Sequence, residues 1–195
     1  MKISKYIMPI VCLCSLTECD SKVNAEKFSQ AVEEISEHEY KKAIVKYSEE
    51  SNSGKIDGKF TFTVKYGAFD CDEYTSYSSS IRSYLSMDVK DIVGEDDYFE
   101  YMAETIKEDD PNAKIKSSFN YYINPFKVVA SFSSNATKDE GTEERKMEYT
   151  YKFDKYGHIT FMEYTTSIVN TKKNNDAKIT TTSKQHLRME VSYKD

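Results

Sequence analysis

Between Ile115 and Tyr193 apolar side chains return at every second position in five separate runs, with turn residues between them. A repeat of two is the pleat of a β-strand, because successive side chains leave the backbone toward opposite faces. Ile115, Phe119, Tyr121 and Ile123 share one face; Asn124-Pro125 turns the chain, and Phe126, Val128, Ala130 and Phe132 alternate back. A polar loop from Ser133 to Glu144 precedes a third run of Met147, Tyr149, Tyr151 and Phe153. Asp154-Lys155-Tyr156-Gly157 reads as a hairpin loop, with glycine free to take positive φ. Met162, Tyr164 and Ile168 return from it, and Thr171 to Ala177 turns once more. The last run is the longest, with Leu187, Met189, Val191 and Tyr193 on one face and Lys178, Lys184, His186 and Arg188 on the other. Strands joined by short turns are antiparallel neighbours, and one apolar face per strand requires cover on one side only.

The first half supplies that cover. Phe28, Ala31, Val32, Ile35, Ala43, Ile44 and Tyr47 recur at three- and four-residue spacing, which predicts one amphipathic helix from Ala25 to Glu50. Ser51-Asn52-Ser53-Gly54 ends it with turn chemistry. Phe60, Phe62, Val64 and Tyr66 then alternate as a strand. Asp88 and Asp96 are placed to cap two short helices, the second with Phe99, Met102, Ala103 and Ile106 as its buried stripe. The expected fold class is α+β: a long N-terminal helix and shorter helices packed on one face of a roughly six-stranded antiparallel meander sheet, in a single domain over 26–195.

The opening 25 residues are a different kind of segment. Lys2 and Lys5 precede an apolar stretch from Ile7 to Leu16, and polar residues follow at once, which is the three-part order of a secretory signal peptide. The apolar part is about half the ~20 residues that cross a bilayer. Two cleavage sites compete, one before Cys19 and one after Ala25 in Val23-Asn24-Ala25. Leu16-Thr17-Glu18-Cys19 resembles the bacterial lipobox, the match being carried by Leu16, Thr17 and Cys19. That resemblance implies lipidation of Cys19 and a membrane anchor on the outer face of the cell membrane; the cut after Ala25 implies a secreted protein. Both readings place the domain outside the cytoplasm. Its element order, together with the lipobox-like segment, is similar to lipoprotein carriers of the LolA and LppX type, which hold an acyl chain between a curved antiparallel sheet and its helices.

Composition and motifs then narrow the chemistry. With 27 Lys and Arg against 33 Asp and Glu the net charge is −6, which argues against a nucleic-acid partner. Cys12 and Cys14 lie in the leader, so beyond Cys19 only Cys71 remains, and a disulfide framework is excluded. Asp70 and Asp72 flank Cys71 and oppose thiolate formation there. No nucleophile elbow, P-loop, dinucleotide fingerprint or zinc-protease motif is present. His38, His158 and His186 fall on separate expected elements and read as solvated surface histidines. The acidic run from Glu95 to Asp110 lacks the alternating ligands and glycine of a calcium loop and reads as a solvated helix face. The sixteen tyrosines suit half-buried strand positions. These observations point to no catalytic residue, no metal and no cofactor.

The expected function is therefore that of an exported, non-catalytic binding protein for a lipid, peptide or small ligand. Phe60, Phe62, Phe119, Phe132, Tyr149 and Leu187 are the candidate lining of a cavity between sheet and helices. The alternative is a surface interaction, adhesion or envelope module without a ligand pocket.

Overall fold

In a computed structural model, residues 21–71, 75–93, 96–138, 141–174 and 177–195 are described. Lys22–Val23 (β1) forms a two-residue edge strand. Helix α1 follows over Ala25–Glu33, capped by Asn24, whose side chain accepts from the Lys27 amide at 2.9 Å. Next come Lys42–Ser51 (β2), Gly54–Lys65 (β3) and Ala68–Cys71 (β4), then helices Ser76–Leu85 (α2), Val89–Val93 (α3) and Asp96–Asp109 (α4). The chain closes with Lys114–Ile123 (β5), Phe126–Lys138 (β6), Gly141–Phe153 (β7), Ile159–Asn174 (β8) and Ala177–Lys194 (β9).

All nine strands described form one antiparallel sheet in the order β1-β5-β6-β7-β8-β9-β2-β3-β4. The expected long helix is therefore corrected to a nine-residue helix and a ten-residue strand. The reason lies in the period. Ala43, Val45 and Tyr47 are buried at 0, 0 and 4% exposure, while Lys42, Ile44 and Lys46 turn to the opposite face. That is an alternation of two, which Ala43, Ile44 and Tyr47 taken alone imitate at helical spacing. Between Ile35 and Ala43 the apolar stripe is broken by Glu37, His38 and Glu39, and the chain runs there without helix.

The strands from β5 to β9 follow one another as expected, but they are longer, and the roughly six-stranded sheet expected is corrected to one of nine described strands. The expected loop after Phe132 is strand to Lys138 and again from Gly141. Asn135-Ala136-Thr137, from the middle of that expected loop, thus sits inside β6, with Ala136 buried and the Thr137 amide donating to Asp110 Oδ2 at 2.6 Å. A bulge between Lys152 and Phe153 changes the parity of β8, so Ile159 and Met162 both reach the core.

The four described helices contribute Phe28, Val32, Ile81, Leu85, Val89, Ile92, Phe99, Met102 and Ile106 to two core clusters on one face of the sheet. Phe28 meets the rings of Tyr121 and Phe126 at 5.0 and 5.9 Å, and Phe99 meets Phe119, Phe132 and Tyr149 at 5.1, 5.3 and 5.8 Å. The other face of the sheet carries no helix among the described residues.

Candidate functional site

The six residues expected to line a ligand cavity all belong to the core clusters or pack against them. Phe62, Phe132 and Leu187 are 0, 1 and 4% exposed, and Phe60, Phe119 and Tyr149 pack partly buried against the same clusters. Three pockets are lined by other residues. Cys19 lies outside the described residues.

Two of those pockets are open grooves on the helix-free face. One, of about 570 Å³, runs over Lys146, Glu148, Thr165, Ser167, Lys184 and His186. The second, of about 560 Å³, runs over Lys46, Ser48, Asp57, Arg188 and Glu190. They adjoin across β9, where His186 and Arg188 are two residues apart on the same face.

The register places charge on this face with a strong bias. β2 and β3 present Lys42, Lys46, Lys55, Lys59 and Lys65; β1 and β5 present Lys22, Lys114 and Lys116. β6 and β7 add Lys127, Lys146 and Lys152, and β9 adds Lys178, Lys184, Arg188 and Lys194. The carboxylates of the same face are Glu50, Asp57, Asp70, Glu144, Glu148, Glu163 and Glu190. That makes fifteen cations against seven anions on one side of a chain whose net charge is −6. The balance is returned elsewhere, as on α4, where Glu100, Glu104, Glu108 and Asp109 outnumber Lys107.

Several of these anions are held by neighbouring cations. Glu190 accepts from Arg188 at 2.7 Å and lies 3.7 Å from Lys46, and the Arg188 hydrogen bond holds its carboxyl below the usual range. Asp57 is likewise lowered, by hydrogen bonds from Ser48 and then Lys55. Asp70 pairs with Lys65 at 3.3 Å, and His186 Nε2 meets Glu163 at 3.0 Å. Two aromatic rings lie among the cations: Lys127 sits 4.2 Å from the centre of Tyr122, and Phe161 is flanked by Lys152 at 5.3 Å and Arg188 at 5.2 Å.

The third pocket, about 220 Å³, opens where the α1–β2 segment meets the β7–β8 turn, and His38, Asp88, Lys90, Tyr156 and His158 line part of it. His158 Nε2 lies 2.7 Å from the carbonyl of His38; since a carbonyl only accepts, that nitrogen carries the proton. His38 Nε2 meets Asp195 at 2.8 Å, and its ring stacks on Tyr156 at 4.3 Å. The Tyr40 hydroxyl donates to Asp154 Oδ2 at 2.7 Å, and its ring stacks on Tyr193 at 4.6 Å. Two histidines that sequence spacing left apart are thus brought together. Their bonds tie the chain terminus, the β7–β8 turn and the α1–β2 segment, so the cluster reads as a structural lock. Cys71 is buried and forms no disulfide among the described residues. Among the described residues no group of three His, Cys, Asp or Glu side chains is arranged to hold a metal ion.

Sequence reasoning noted the cationic side of β9 but missed the basic face as a whole. The signal was present, in lysines at alternating strand positions, but it needs the strand order to be summed. No family profile, curated protein or solved structure matches the chain.

Proposed function

We propose that this chain is an exported protein, cut before Cys19 and anchored through a lipid on that residue, which acts outside the cytoplasm as a non-catalytic binding module. The binding surface in this reading is the helix-free face of the sheet, on the strength of the two grooves that open there among charged side chains. One observation carries the choice of cleavage site. A cut after Ala25 removes β1 and the Asn24 cap of α1, whereas a cut before Cys19 keeps both. Losing such a cap costs ~1 kcal/mol. The edge hydrogen bonds of β1 to Tyr121 and Tyr122 would go with it.

Mass spectrometry of the mature N-terminus tests the proposal. The expected result is a chain starting at Cys19 with a diacylglycerol-sized addition, lost in Cys19→Ala. A mature chain starting at Glu26, or one retaining Met1, overturns the anchored reading.

A further inference from the structure

We infer that the helix-free face of the sheet docks on an anionic phospholipid surface, with its lysines set among the headgroups and its acidic helical side turned to solution. The inference builds on the anchored reading for where the membrane is, and on charge for which face meets it.

Three observations favour a bilayer over other anionic partners. The first is distribution. The cations span the sheet from Lys22 and Lys114 near one edge to Lys65 near the other, about 34 Å at the usual strand spacing. A nucleic-acid duplex is met by a stripe of basic residues or by an element entering a groove. Here the cations are spread in two dimensions and interspersed with carboxylates, which suits a diffuse layer of headgroups. The second is the place of the tether. Lys22 lies three residues beyond Cys19 and on the basic face, since it pairs with Tyr122 and Tyr122 with Lys127. A lipid on Cys19 therefore holds the edge of this face close to the bilayer. The third is the pair of rings, Tyr122 and Phe161, that lie under lysine and arginine on the same face. An aromatic body beneath a long cationic side chain is a composition that tolerates the headgroup region.

Each lysine near an anionic bilayer adds modestly to binding, and the sum is screened by salt over about 10 Å at 0.1 M. A diacylglycerol anchor fixes the domain to the bilayer, and a polybasic surface adds a second attachment that sets how the domain lies.

The test is co-sedimentation of the full-length mature protein with vesicles of phosphatidylcholine alone and of phosphatidylcholine with about one third phosphatidylglycerol, at low and high salt. Binding to the anionic vesicles is expected to exceed binding to the neutral ones by at least about tenfold at low salt and to fall toward it at high salt. The variant Lys114→Glu, Lys116→Glu, Lys146→Glu, Lys184→Glu loses that excess. The control Lys27→Glu, Lys107→Glu, on α1 and α4, keeps it; circular dichroism shows that both variants fold. Equal binding to the two vesicle types, or equal loss in the control, overturns the inference. So does a duplex DNA competitor that strips the protein from anionic vesicles at equal charge concentration. The two readings fail separately. A lipid on Cys19 with no preference for anionic vesicles sinks the docking face and leaves the anchor, and an unmodified chain that still prefers them does the reverse.

Discussion

Phe62 and Phe132 are the largest side chains that β3 and β6 remove from water, and they belong to different core clusters. Truncating either to alanine deletes a buried ring that the surrounding strands cannot collapse to fill. We expect each variant to lose ~3–5 kcal/mol in urea unfolding; a loss below about 1 kcal/mol in both would mean that the rings border a space able to accept such a change. Gly157 makes a different kind of demand. Its φ is +84°, and an added Cβ would lie 2.9 Å from Val89 Cγ1. Gly157→Ala is expected to cost more than ~1 kcal/mol, read as a lower thermal midpoint. Three phenols supply a pH dependence. Burial raises Tyr40, Tyr47 and Tyr193 above the ordinary tyrosine value; a hydrogen bond to Asp154 adds to it for Tyr40, one to Glu49 for Tyr47, and the charge of Asp154 for Tyr193. The folded chain therefore holds these protons more tightly than the unfolded chain. Their contribution to stability is complete below the unfolded value of about 10 and is lost as pH climbs from there toward the folded values. In an alkaline titration followed by tyrosinate absorbance, the three are expected to ionise only with unfolding, and Tyr193→Phe is expected to make the alkaline fall in stability shallower.

At the level of elements, the five strands from β5 onward are legible in the sequence because each buries one face and is bounded by turn residues. The two short helices after Asp88 and Asp96 are legible for the same reason, through stripes such as Phe99, Met102 and Ile106. β2 is not, because Ala43 and Tyr47, four residues apart, satisfy both periods and the lysines beside them suit a helix surface as well as a strand face. β1 and β4 are too short, at two and four residues, to show any period. The strand order is beyond local reading altogether, since β2 pairs with β9 across 140 or so residues of chain, a contact that turn chemistry does not announce. The candidate site inherits that limit: Lys46 and Arg188 share a face only because Glu190 pairs with Lys46 across the β2–β9 seam. The same seam shows how a loop residue can extend a ladder. Past Ser51, where β2 ends, Asn52 donates its side-chain amide to the Thr182 carbonyl at 2.6 Å and accepts from the Lys184 amide at 3.0 Å. One side chain thus stands in for the next residue of the strand. Asn52→Ala is expected to cost ~1–2 kcal/mol and to speed hydrogen exchange at the Lys184 amide while leaving the Met189 amide protected. Unchanged exchange at Lys184 would mean that the edge is held by something else.

For the molecule as a whole, net charge misleads. A total of −6 conceals a cationic sheet face and a more strongly anionic remainder, so averages over the chain say little about what either side attracts. Such a distribution lets the basic face of one copy meet the acidic helices of another. We expect weak head-to-tail association below about 20 mM salt, seen as a rising sedimentation coefficient and abolished near 0.15 M, where the Debye length shortens to about 8 Å. A uniformly acidic protein would instead repel itself most at low salt, and that outcome would count against the segregation of charge.

The position of β9 has a consequence in time. This strand is the last eighteen-residue element of the chain, yet it lies between β8 and β2 and is the only described strand that bonds the two halves of the sheet. Until it leaves the ribosome, β2, β3 and β4 have no seam with the rest, and the central rows of Leu187, Met189 and Val191 are missing from the larger core cluster. A nascent chain of this design stays in two unfinished pieces until β9 has been made, so the joining of the sheet follows the synthesis of all eight other described strands rather than accompanying it.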